Sequence, residues 1–231
     1  MPRGEFDRGP RKARTRAALL EAAARVYARR GFDGATVDEV AEEAGFTKGA
    51  VYSHFGSKEN LLLALLDEHL TAQIAEQVAL FDSTRDSWER PRIGADRWMH
   101  ELRRDPDPFR LFVELWVHAQ RDEVLRERLV SGLGAWRAMS AGFAARGAAV
   151  AGSELSEELT AQWANTVIGL SVGLGMVELI DEGGVAPGLL GAMLAILVRT
   201  LETSEEARAM LKGVAAGAGA GKALSDNPGS D

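Results

Sequence analysis

No cysteine occurs among the 231 residues, which excludes disulfides, thiol nucleophiles and cysteine-ligated metal centres at once. Strand signals are also missing. Nowhere do four or more residues alternate apolar and polar with β-branched enrichment between turn residues, so no sheet is expected. Long hydrophobic runs are absent too: the longest apolar stretches, 166–177 and 185–198, fall short of the ~18 to 20 residues that cross a bilayer. No apolar run precedes Ala17, so the basic N-terminus lacks the h-region of a secretory signal and a cytoplasmic location is expected. Apolar residues make up 46% and charged residues 26%, close to the globular average.

The net charge of -7 hides an asymmetry. Residues 1–60 carry 11 basic and 9 acidic side chains, against 16 and 25 in the remainder. Arg3, Arg8, Arg11, Lys12, Arg14 and Arg16 crowd the N-terminus, so a basic flexible arm over 1–13 is expected to lead an acidic body.

From 15 to 30 there is neither glycine nor proline, and Leu19, Ala23, Val26 and Tyr27 recur as the stripe of an amphipathic helix that stops at Gly31. Thr36 and Glu39 have the spacing of a capping box, which starts a second helix at Val37. Gly45 stands where a left-handed C-cap is expected. Thr47 caps a third short helix from Lys48 to about Phe55, and Gly56-Ser57 ends it and caps a fourth. Leu62, Leu66, Leu70, Ile74 and Val78 lie four apart and give that fourth helix, 58–81, one apolar ridge. Further helices are expected at 92–104, 108–120, 122–146, 156–182 and 186–202, followed by a disordered Gly/Ala/Ser-rich tail over 203–231.

Two short helices joined by the tight turn Gly45-Phe46-Thr47 make a helix-turn-helix, whose second helix is sized for the major groove of DNA. Thr47, Lys48, Tyr52 and His54 supply hydroxyls, an ammonium and an imidazole to its exposed face, while Gly49 and Ala50 hold nothing against the duplex. Val51 and Phe55 are expected inside. Lys58, in the first turn of the next helix, and Thr36, at a helix start, suit phosphate groups.

At these residues the sequence resembles the TetR family of bacterial transcriptional regulators. The resemblance runs over 17–66 and includes Gly31-Phe32, Thr36-Val37-Asp38-Glu39-Val40-Ala41, Ala44-Gly45, Lys48-Gly49-Ala50-Val51-Tyr52, His54-Phe55 and Ser57-Lys58-Glu59. Phe46 and Ser53 depart from the usual pattern, the first from a smaller aliphatic and the second from a larger polar or aromatic residue. The resemblance implies an all-α chain: an N-terminal three-helix DNA-binding domain (14–57) and a larger C-terminal helical domain (58–202) for effector binding and dimerisation. It also implies a homodimer on double-stranded DNA, at a palindromic operator, that usually represses. Thr36, Thr47, Lys48, Tyr52, His54 and Lys58 then occupy positions that commonly touch DNA.

The last two long helices are too apolar to stand alone. Gly169 and Gly173 permit close backbone approach, and with Met176, Met193 and Leu197 they are the expected dimerisation residues. Aromatic side chains recur from 92 to 146; Trp98, Phe112, Trp116, Trp136 and Phe143, with Asn165, are the candidates for an effector pocket, and Glu114, His100, His118 and Gln162 could add polar groups. An alternative is an effector-less or partner-regulated DNA-binding protein whose C-terminal domain only dimerises. No enzyme, cofactor, metal or membrane partner is expected: His100-Glu101 is followed by Arg104 where a zinc motif needs histidine, and Gly221-Lys222 lacks both the first glycine, replaced by Ala216, and the Ser/Thr, replaced by Ala223, of a phosphate loop.

Overall fold

A computed structural model describes residues 8–83, 89–150, 155–210 and 212–213. Among them the helices are α1 (Arg8–Gly34), α2 (Val37–Glu43), α3 (Lys48–Phe55), α4 (Lys58–Ser83), α5 (Glu89–Arg104), α6 (Asp107–Ala119), α7 (Glu123–Val150), α8 (Glu157–Ile180) and α9 (Leu189–Thr203), with no strand among the described residues.

The chain divides into two compact units. One holds the described residues up to Gln73 together with Asp105–Leu133; the other holds Ile74–Arg104 and the described residues from Gly134 on. The expected cut lies between 57 and 58, whereas these units divide within α4. α6 returns to the first unit because Glu114 and His118 bind the end of α1, and the start of α7 joins it through a hydrogen bond from Arg128 to Asn60 on α4. The expected arm differs as well: α1 begins at Arg8, with Pro10 in its first turn, where a missing N–H costs no helical bond. Arg3 lies outside the described residues. Part of the expected tail is also helical. Ser204 ends α9 and its hydroxyl accepts from the Ala207 N–H at 3.1 Å, so that 205–210 form a further helical turn.

In the first unit Leu19, Ala23, Val26 and Tyr27 of α1 are buried with Val40 of α2, Val51 and Phe55 of α3, and Leu61 and Leu62 of α4. In the second, α5 lies along α9 and also meets α8. A Cβ on Gly191 would come within 2.9 Å of the Arg92 carbonyl oxygen, so only glycine lets these two backbones approach.

The second unit is pinned by one ion pair. Glu178, 6% exposed, accepts from Arg103 Nε at 2.8 Å and from the Gly183 and Val185 N–H groups at 3.1 and 3.2 Å. Arg103 also donates to the Val185 carbonyl at 2.6 Å, so α5, α8 and the α8–α9 turn share one polar cluster. The guanidinium first, and the two backbone donors after it, hold the Glu178 carboxyl at about 2, well below its ordinary 4.5.

α8 overturns one expectation. Its 24 residues are long and apolar enough, by length and composition, to cross a membrane. The isolated apolar run was short, but helix continues through Trp163 and Asn165 on one side of it. Of its buried residues, Ala164, Ile168, Ser171, Gly175 and Glu178 recur three or four apart and share one face, with Leu159 buried separately in the first turn, while Met176, Val177 and Ile180 are exposed.

Glu178→Ala strands Arg103 and two backbone donors, and should lower unfolding free energy by roughly 3 kcal/mol, read from urea melts. Because the folded pKa is depressed, this stabilisation is complete above the unfolded value near 4.5 and drains away as pH falls toward about 2. The gap between wild type and variant should therefore narrow below pH 4.5 and be largely closed only once the pH has fallen to about 2; a constant gap would show that the carboxylate charge is not the source.

Candidate nucleic-acid interface

The helix-turn-helix is built by local capping. The Thr36 hydroxyl accepts from the Glu39 N–H at 3.2 Å, and the Glu39 carboxylate accepts from the Thr36 N–H at 2.9 Å. These bonds, before the charges of Arg30 and Arg29, lower the Glu39 pKa. α2 ends in a Schellman motif: the Phe46 N–H donates to the Ala41 carbonyl and the Gly45 N–H to that of Glu42, at 2.9 and 3.0 Å, with Gly45 at φ +70°. Thr47 accepts from the Ala50 N–H at 3.3 Å to start α3, and Ser57 accepts from the Asn60 N–H at 3.1 Å to start α4. Glu43 clamps α2 to α1, accepting from Arg25 and Arg29 at 2.8 Å each.

α3 is thereby held with Val51 and Phe55 buried, while Thr47, Lys48, Gly49, Tyr52 and Ser53 are exposed and His54 is half-buried. The basic end of α1 runs beside the C-terminal end of α3. Arg16 stacks over the Phe55 ring at 5.6 Å, and burial followed by the charges of Lys12 and Arg16 lowers the His54 pKa from its ordinary 6.5. The shift favours the neutral imidazole, which carries one donor and one acceptor nitrogen. Lys48, at the opposite end of the helix, donates to Asp38 at 2.7 Å, which raises its pKa.

Lys58 is more engaged than its place in a first turn predicts. Its ammonium sits 4.4 Å from the Phe32 ring centroid and donates to the Asp33 carbonyl at 3.4 Å. The reason is the break at Gly31 (φ 68°, ψ 174°), which turns Phe32 inward. The freed Phe32 N–H donates to Glu114 of α6 at 2.6 Å, His118 of α6 lies 3.1 Å from Asp33 and edge-on to Phe32, and Tyr27 donates to the Lys58 carbonyl at 3.3 Å. Burial, with the Glu59 charge behind it, raises the Tyr27 pKa. Sequence reasoning offered Glu114 and His118 as pocket groups; the structure uses both to hold the base of the reading head. Their spacing of four on one helix face was visible, but not their target on α1.

The other candidates fall as follows. Phe112 and Trp116 belong to the first unit, where they meet edge-on at 5.4 Å, whereas Trp98, Trp136, Phe143 and Asn165 belong to the second. Asn165 is exposed and accepts from Arg137 at 3.1 Å. Gly169, Gly173, Met176 and Met193 are exposed and Leu197 half-buried; a Cβ on either glycine would meet nothing within 4 Å.

Residues 19–65 match the family model described as bacterial regulatory proteins, tetR family. Over 134 residues the chain is 36% identical to the HTH-type transcriptional repressor AcnR of Corynebacterium glutamicum, covering 52% of this chain and 67% of that protein. It is 34% identical over 115 residues to the HTH-type transcriptional activator FasR of Mycolicibacterium smegmatis, covering 49% of this chain and 52% of that one. The fold is similar to that of the transcriptional regulator FadR from Bacillus subtilis, solved in complex with stearoyl-CoA, with a TM-score of 0.65 at 18% identity over 79% of this chain and 96% of that chain.

Removing the carboxylate that receives the Phe32 N–H should be costly. Glu114→Ala is expected to reduce stability by about 1 to 2 kcal/mol and Glu114→Gln, which keeps an acceptor oxygen, by less. Equal losses in denaturant melts would mean that packing, rather than the hydrogen bond, is what Glu114 supplies.

Proposed function

The chain belongs to the tetR family of bacterial regulatory proteins, and from that premise we propose that it binds a palindromic operator as a homodimer, represses transcription there, and releases the DNA when a small apolar or amphipathic effector binds. Membership makes it a DNA-binding transcriptional regulator and not an enzyme. The remainder is our reading, and it assigns the protein to the cytoplasm, where a regulator meets bacterial DNA.

The observation that carries the operator reading is the division of α3: its apolar residues are buried, and Thr47, Lys48, Gly49 and Tyr52 face outward beside the basic end of α1. Lys48, Tyr52 and His54 are assigned to direct contact, and Lys58 and the helix starts at Thr36 and Thr47 to positioning on the backbone. The dimer reading is supported by exposed apolar side chains on both late helices. Met176, Val177 and Ile180 on α8 and Leu189, Met193 and Ile196 on α9 are all exposed, next to two glycines that nothing in their own chain requires. Such a surface fits an isologous pairing of helices with those of a second copy. The effector class follows from the apolar character of the aromatic candidates, Trp98, Trp136 and Phe143 in the second unit and Phe112 and Trp116 in the first. FadR, solved with stearoyl-CoA, offers an amphipathic precedent within the same fold. A regulator without an effector differs in that added apolar ligands leave its operator complex intact.

Selection from random duplexes should return a two-fold symmetric site with half-sites a whole number of ~34 Å turns apart; an asymmetric consensus would overturn the dimeric reading. On that duplex Tyr52→Ala should cost about 1 to 3 kcal/mol of binding and relax the preference at one position in each half-site. A uniform loss across sequences would instead assign Tyr52 to the backbone.

Gly173→Arg places a charge where two copies are to meet. Light scattering should report a monomer, and the selected duplex should be bound far more weakly because both reading heads no longer act together. A persistent dimer would move the interface off α8.

A further inference from the structure

The acidic side chains of α2 are not equivalent. Glu39 is taken up by the Thr36 cap and by Arg30, and Glu43 by Arg25 and Arg29. Asp38 instead reaches out of its own helix to the recognition helix. Its Oδ2 accepts from Lys48 Nζ at 2.7 Å, with the two side chains 64% and 52% exposed.

We propose that Asp38 is a specificity-determining residue: a carboxylate that keeps the Lys48 ammonium occupied in the free protein and on random DNA, and yields it only at the cognate site. This rests on the reading of α3 as the helix that meets DNA.

The argument is one of competing partners. An exposed pair of this kind is favoured over its open form by only about 1.4- to 5-fold, so a good contact on DNA can open it. Non-specific binding is nearly all phosphate neutralisation, and each lysine that takes part adds about 0.9 to the log–log salt slope. A lysine shared with its own carboxylate contributes less there than a free one, and the carboxylate brings a like charge toward the phosphates. At the cognate site the register of α3 is fixed by its other contacts, Lys48 in the first turn meets a defined acceptor, and breaking the pair is repaid. Asp38 therefore handicaps random sequence more than the cognate one.

The test compares the duplex recovered by selection with a random-sequence duplex of equal length. Asp38→Asn should raise random-duplex affinity about 3- to 8-fold at 0.1 M salt and steepen its slope by up to ~0.9 per bound protomer. Affinity for the selected duplex should rise less, with its slope unchanged, so the ratio narrows. Asp38→Glu, which restores a carboxylate, should return the ratio toward the wild-type value. In a Lys48→Ala background Asp38→Asn should change random-duplex affinity by less than about twofold, since the effect runs through that ammonium. An equal rise on both duplexes, an unchanged random-duplex slope, or the same rise without Lys48 would overturn the proposal in favour of a diffuse charge effect. If Lys48→Ala alone leaves both affinities untouched, the reading of Lys48 as a DNA contact falls first, and this proposal falls with it.

Discussion

One backbone N–H governs how the reading head is held. At Gly31 the chain takes a conformation that a side chain disfavours, α1 stops, and the Phe32 amide loses its helical acceptor. Leaving such a group unpaired inside protein costs about 1 to 3 kcal/mol, and the Glu114 carboxylate on α6 removes that cost. Around this bond gather the Phe32 ring, the Lys58 ammonium, His118 and the Tyr27 hydroxyl. α1, α4 and α6 thus meet at a single joint, in the same unit as the helix-turn-helix.

The second unit repeats the strategy with a stronger bond. Glu178 is nearly buried, yet every one of its acceptor positions named above is met by Arg103 or by the turn that follows α8. A carboxylate in that setting fixes direction as well as distance, because Arg103 presents two parallel donors. Gly191 works alongside it by steric means, letting α9 press against α5. In both units a polar contact between residues far apart in the chain fixes geometry that apolar packing alone would leave adjustable.

What was legible in the amino-acid order was whatever depends on neighbours. The Thr36–Glu39 box, the left-handed Gly45, and the caps at Thr47 and Ser57 all work over four residues or fewer, and each appears where the local chemistry puts it. The apolar stripes of α1 and α3 were legible for the same reason, since helical spacing decides which side chains turn inward. Glu114 to Phe32 and Arg103 to Glu178 span 82 and 75 residues, and nothing in the local pattern of either partner names the other. The start of α1 was missed because clustered positive charge resembles an unstructured tail, although Pro10 in a first turn is compatible with helix.

The unbroken course of α1 from Arg8 to the Gly31 break turns its length into an angular setting. Tyr27, Val26 and Leu19 are locked into the core at one end, and Lys12 and Arg16 are carried beside His54 and Phe55 at the other. Each residue added or removed between these groups would swing the positive end by about 100°, away from the recognition helix. The residue count between these groups is therefore as constrained as the buried side chains themselves: the stretch between Arg16 and Leu19 is a ruler whose divisions are rotations.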